Sequence, residues 1–169
     1  SRGSGVVMSW QQATGSLVVG GNSSTIRIWN AATEQCVRAF TTGSDTCVTT
    51  VATTPLSHRM YASMLCNASE FKYTGLPDEA SAPPDPSDAS NTSSWCFAGF
   101  ADGSVGAYDE RLYANGGRVH YAKEHNAWVI SAHIRADVPE VITGSVKGTV
   151  KFWDLRMMRT YKTLEIQKS

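Results

Sequence analysis

Three stretches of this sequence share one pattern: GGNSSTIRIWN from Gly20, GFADGSVGAYD from Gly99 and GSVKGTVKFWD from Gly144. Each opens on glycine. Each reaches an aromatic residue nine positions later, at Trp29, Tyr108 and Trp153, and follows it with Asn30, Asp109 or Asp154. Each approaches its aromatic by alternation, through Ile26 and Ile28, Val105 and Ala107, Val150 and Phe152. Alternation with period two is the signature of a strand. A fixed offset used three times constrains the fold more than composition does, because it means one supersecondary unit is repeated.

The upstream parts give the period. Trp128 lies sixteen residues before Gly144, and Cys47 occupies the matching slot fifty-two residues before Gly99. The difference marks an insertion of 36 residues in the middle copy. With it removed, the repeat is 43 to 45 residues long. That is the length of a four-stranded propeller blade. The sequence therefore predicts an all-β fold: a β-propeller segment of about three four-stranded antiparallel blades, from a larger ring of roughly four to eight.

The whole of 1–169 is expected to be one partial propeller, with blades at 1–43, 44–124 and 125–169. Strands are predicted at 6–10, 16–20, 25–29 and 35–40, then 47–52, 95–99, 104–108 and 118–121, then 128–135, 140–144, 149–153 and 161–166. Asp102-Gly103 is a strong hairpin signal, since that turn needs positive φ. Lys147-Gly148 and Asn22-Ser23-Ser24 occupy matching turns. The insertion at about 57–94 ends in LPDEASAPPDPSDASNTSS, too poor in bulky apolar residues to offset its ordering entropy, and is expected to be disordered. Three blades leave sheet edges and apolar faces bare. The remaining blades are expected outside this sequence, which begins at Ser1 inside a turn, or else the chain is expected to assemble with others.

Composition narrows the partners. Fifteen basic residues balance fifteen acidic ones, so no long-range field favours nucleic acid or an anionic membrane. No apolar run reaches eighteen residues, so membrane insertion is not expected. Cys36, Cys47, Cys66 and Cys96 have no zinc-ribbon spacing and read as reduced thiols of a cytosolic protein. Sequons at Asn22, Asn67 and Asn91 are at chance frequency in a chain this rich in Ser and Thr.

The glycine, the Trp-Asp ends and the period resemble WD repeats, and the resemblance implies a larger, seven-bladed ring. That family often joins a His before the first strand, a Ser or Thr on the second, an Asp in the following turn and the Trp by hydrogen bonds. Carried over, the resemblance gives the third blade His125, Thr143 and Trp153, with Lys147 where the Asp would be. The second blade has Asp102, but Ser44, Ala98 and Tyr108 in the other places, and the first has Trp29 alone. Gly20, Asn30, Gly99, Asp109, Gly144 and Asp154 complete the repeat positions. The Trp is expected as a wedge between blades, and the Asp as a strand-end anchor for turn amides.

Within WD repeats, SDTCVTTV, FADGSVGAYDERL, YAKEHNAWVISAHI and IRIWN are similar to the C-terminal propeller of the raptor family, with EHNAWV the most distinctive piece. The insertion departs from that family. The resemblance implies a non-catalytic scaffold or adaptor that helps assemble the TOR kinase complex and supports substrate recruitment in nutrient and growth signalling. It implies TOR kinase and other subunits or substrates of the complex as partners. It implies a cytoplasmic protein, with recruitment to the lysosome or vacuole surface through partners. The alternative is a stand-alone WD-repeat peptide reader in a ubiquitin-ligase or chromatin complex.

Catalytic motifs are absent from the sequence: no G-x-S-x-G elbow, no H-E-x-x-H and no Walker loop. GSVKGT lacks the Walker spacing and leads into a strand. His58, His120, His125 and His133 are scattered. No enzyme, cofactor or metal site is expected. Glu79, Asp85 and Asp88 lack EF-type spacing, and Ser81, Ser87, Ser90, Thr92 and Ser93 are candidate phosphorylation sites. Arg111, Arg118 and Lys123 form a candidate basic patch for an acidic or phosphorylated peptide. Trp10 and Trp128 are expected in the core, with Trp128 also a candidate partner anchor because it neighbours a blade-top loop.

Overall fold

The computed structural model describes residues 5–12, 14–54, 95–109, 117–135 and 138–166. The insertion at 57–94, Arg111 and His58 lie outside them. The described residues form twelve strands. The first sheet comprises β1 (Val7–Gln11), β2 (Ser16–Gly20), β3 (Thr25–Asn30) and β4 (Gln35–Thr41). The second comprises β5 (Val48–Thr53), β6 (Trp95–Phe100), β7 (Ser104–Asp109) and β8 (Arg118–Lys123). The third comprises β9 (Val129–Ile134), β10 (Glu140–Ser145), β11 (Thr149–Asp154) and β12 (Arg159–Glu165). Each sheet runs antiparallel in sequence order. The expected all-β architecture of three four-stranded blades is present.

The repeat extends to the turns. In the second and third hairpins Gly103 and Gly148 carry φ of 88° and 75°. After the third strand, Glu34 and Met158, each five residues past the aromatic, both adopt left-handed backbone. Asn30 Oδ1 accepts from the amides of Ala32 and Thr33 at 2.9 and 3.1 Å. Asp154 Oδ1 accepts from the amides of Arg156 and Met157 at 2.8 and 3.4 Å. The polar residue after the aromatic thus holds a tight turn closed in two blades.

The sheets stack through two apolar layers. Val18, Ile26 and Ile28 of the first sheet meet Val48, Val51, Ala98, Phe100 and Tyr108 of the second. Trp95, Phe97, Val105 and Ala107 of the second meet Val129, Val141 and Trp153 of the third. Strand β5 lies against both β1 and β9, so the first strands line up along one side of the stack. Every residue of β6 and β7 is buried, because the second sheet has a neighbour on both faces.

The repeated glycine has a packing reason. A Cβ on Gly20 would come within 2.8 Å of Val48, and one on Gly99 within 2.6 Å of Val129. Each glycine makes room for the first strand of the following blade. At Gly144 a Cβ would meet only Ser131 of its own sheet, at 3.8 Å.

The outward faces of the first and third sheets are also apolar. Met8, Trp10, Trp29 and Val37 are exposed on the first, and Ile130, Tyr161 and Ile166 on the third. This corrects the expectation for Trp10, which is 54% exposed rather than in the core. Its strand neighbour Ser9 turns to the second sheet, its Oγ 3.0 Å from Thr53 Oγ1, so Trp10 faces the other way. Trp29 stands on the same outward face, 37% exposed, since Ile26 and Ile28 take the face toward the second sheet.

Candidate functional site

The densest polar chemistry in the core is in the third blade. Strand β10 brings Thr143 between the indole of Trp153 on β11 and the imidazole of His125, just before β9. Trp153 Nε1 donates to Thr143 Oγ1 at 2.9 Å, and His125 Nε2 lies 2.8 Å from the same oxygen. All three residues are buried. An indole N–H can only donate, so the threonine oxygen accepts from it. Among the described residues the buried Thr143 hydroxyl has no other acceptor, so its proton is assigned to His125 Nε2 and the ring proton to Nδ1. Burial, reinforced by the Lys151 ammonium, holds the imidazole below its ordinary pKa, and the opposing Glu124 carboxylate does not offset this. His125 is therefore a neutral structural group.

Trp153 is also the expected wedge. Its ring meets Phe97 edge-on, with centroids 5.9 Å apart. In the second blade Tyr108 takes the equivalent place but not the equivalent bond. Ala98 offers no hydroxyl, and the phenol instead donates to the Thr42 carbonyl at 3.0 Å, across the boundary with the first sheet. Phe40 packs on the same ring, centroid to centroid 5.4 Å. Desolvation raises the Tyr108 pKa far above its ordinary value. Ser44, in the histidine slot, bonds Thr46 and accepts from Tyr121 at 3.2 Å. Sequence reasoning did not find Thr42 as Tyr108's partner, because a backbone acceptor leaves no side-chain signature.

The other repeat positions serve turns. Asp102 accepts from the Ser104 amide at 2.9 Å and its hydroxyl at 2.7 Å. Asp109 is buried, and its amide donates to Gly117 O at 2.7 Å. The Asp154 carboxyl is raised by partial burial, but bonds from the Arg156 side chain and amide outweigh this and hold it below its ordinary pKa.

The candidate basic patch is not assembled by the described residues. Arg118 and Lys123 stand at opposite ends of β8, and Arg111 is outside the described residues. Arg118 lies over the Tyr121 ring, 5.5 Å from its centroid, and reaches Gly43 O at 3.5 Å. Trp128, expected in the core, is 47% exposed. Its carbonyl accepts from the Val146 amide at 2.9 Å, which fixes the loop and leaves the ring outside. Among the described residues no group of three or more His, Cys, Asp or Glu is placed to hold a metal, and no helix is long and apolar enough to cross a membrane. His120 lies beside Trp153, with ring centroids 6.4 Å apart, and His133 is exposed on β9.

No protein-family model matches the sequence. The chain is 27% identical over 169 residues to the Target of rapamycin complex 1 subunit mip1 of Schizosaccharomyces pombe, covering 99% of the chain and 10% of that protein. It is 24% identical over 160 residues to the Target of rapamycin complex 1 subunit KOG1 of Saccharomyces cerevisiae, covering 92% and 8%. It is 26% identical over 166 residues to Regulatory-associated protein of TOR 1 of Arabidopsis thaliana, covering 96% and 10%. The chain thus spans about a tenth of the length of the curated relatives it matches.

Among solved structures, Chaetomium thermophilum Raptor superposes with a TM-score of 0.70 at 26% identity, over 98% of this chain and 12% of that one. A chain of the mitotic checkpoint complex gives 0.63 at 14% identity, over 94% of this chain and 36% of that one, a likeness of fold alone. Repeat pattern, blade architecture and these similarities describe a β-propeller segment whose described residues form three four-stranded blades, similar to raptor and to Target of rapamycin complex 1 subunits.

Proposed function

We propose that this chain is a non-catalytic scaffold segment of a raptor-like subunit, working in a cytoplasmic TOR kinase complex. The observation that carries this reading is the end-to-end similarity to subunits of Target of rapamycin complex 1 in two yeasts, and to a plant Regulatory-associated protein of TOR. The structure supports it in kind. Its buried polar groups hold blades and turns together, and in the His125–Thr143–Trp153 set the indole N–H, the hydroxyl and the imidazole Nε2 bond one another within the blade.

The apolar outer faces of the first and third sheets are then covered by further blades of the same propeller. The blades offer a rigid surface, and the loops contact the kinase, other subunits or recruited substrates. Recruitment to the lysosome or vacuole surface is through those partners.

Affinity purification of the intact protein under gentle conditions tests this. Co-recovery of a TOR kinase is expected. Its absence, together with recovery of ubiquitin-ligase or chromatin subunits, would transfer the chain to the stand-alone reader class.

A further inference from the structure

The third blade holds a buried ring nitrogen without a partner, on a residue that lines a cleft shared with a lysine. His125 is 1% exposed, and its Nδ1 has no partner. The network described above puts the ring proton on that atom. His125 also lines a cleft of about 290 Å³, shared with Glu124, Lys147, Lys151 and Glu165. Glu124 is already engaged: its Oε2 lies 3.0 Å from Lys151 Nζ and 3.2 Å from Thr160 Oγ1. That pair leaves Lys147, exposed on the turn after β10, as the ammonium available to a newcomer.

The second blade shows what this turn holds when it carries a carboxylate. Asp102, like Lys147, lies six residues before the strand-end aromatic, and it closes its own turn through Ser104. In the third blade Thr149 N turns instead to Ser145 Oγ, at 3.4 Å. The blade has exchanged its carboxylate for an ammonium and kept the histidine.

We propose that this cleft receives the carboxylate of an Asp or Glu side chain from a protein partner. Lys147 supplies charge, and the His125 Nδ1–H supplies a directed hydrogen bond. Nδ1 is covered in the unliganded chain, so the Ser145–Gly148 turn shifts to admit the oxygen. Gly148, at φ 75°, is the flexible point of that turn. A peptide side chain fits better than a free small acid. The cleft is larger than one carboxyl group, and the exposed Trp128 directly follows Ala127 on its wall, offering an apolar contact for the rest of the segment. The proposal does not depend on which complex the chain serves.

The test uses the intact protein and two uncharged-backbone probes, acetyl-Gly-Asp-Gly-amide and acetyl-Gly-Asn-Gly-amide, in saturation-transfer NMR titrations. The Asp peptide is expected to bind about tenfold tighter, the ratio of one charge-assisted hydrogen bond. Lys147→Met should erase that preference. Lys147→Asp should erase it too, by supplying the carboxylate from the turn itself. A crystal soaked with the Asp peptide should show its carboxylate within hydrogen-bond distance of His125 Nδ1. Equal binding of the two peptides, binding of neither, a preference that survives Lys147→Met, or water alone at Nδ1 in the soaked crystal would each overturn the proposal.

Discussion

The Tyr108 hydroxyl donates to the carbonyl of Thr42 at 3.0 Å, tying the third strand of the second blade to the segment that leaves the first. Both residues are fully buried. Tyr108→Phe keeps the ring on Phe40 and removes only the hydroxyl. It leaves the buried Thr42 carbonyl without its phenolic donor. The expected cost is about 1–2 kcal/mol, seen as a lowered unfolding midpoint of the intact protein. An unchanged midpoint would mean that water replaces the phenol.

Thr143→Val should cost more. The valine keeps the shape of the threonine but removes the one oxygen shared by Trp153 Nε1 and His125 Nε2. Two buried polar atoms then lose their partner at once. At about 1–3 kcal/mol for each orphaned group, the loss should be about 2–6 kcal/mol, centred at more than twice that of Tyr108→Phe. Thr143→Ser, which keeps the oxygen, should recover most of it. Thermal unfolding of the three proteins side by side checks the order.

Gly103 and Gly15 both carry positive φ, at 88° and 62°, but only one is crowded. A Cβ on Gly103 would come within 2.0 Å of the His125 carbonyl oxygen, whereas one on Gly15 meets nothing within 4 Å. Gly15→Ala should cost only the left-handed strain, about 1–2 kcal/mol. Gly103→Ala adds a backbone clash where the second blade's hairpin supports the third blade's histidine loop, through Gly103 O and the His125 amide at 3.0 Å. A further ~1–3 kcal/mol of overpacking is expected. Equal losses for the two variants would contradict this account.

How much of this was legible in the sequence follows from what each signal reports. The offset from Gly99 to Tyr108 and from Gly144 to Trp153 is a property of one hairpin, so the strands followed from it to within a residue or two. The glycine itself reports a neighbour, since Val48 and Val129 fill the space above Gly20 and Gly99. Which face of a sheet has a neighbour is not written in its alternation. Trp10 therefore reads as core but stands on an outward face. Arg118 and Lys123 are near in sequence, yet a six-residue strand separates them. The unmet Nδ1 of His125 was only half legible: Lys147 showed that a carboxylate was missing, but not that nothing had replaced it.

His125 should also set a pH dependence. Its pKa in the folded protein lies below the ordinary 6.5, through burial first and then the Lys151 ammonium, with Glu124 opposing. In the unfolded chain the imidazole takes up a proton near pH 6.5, while in the folded chain it stays neutral. The unfolded state therefore binds more protons in this window, and stability rises with pH. The His125 contribution is complete above about pH 6.5 and falls as pH drops below it, by up to about 1.4 kcal/mol per pH unit, until the folded imidazole protonates too. Denaturation of the intact protein between pH 7 and pH 5 should show this slope, and His125→Gln should flatten it at the expense of overall stability. The same slope in His125→Gln would assign the effect to another group.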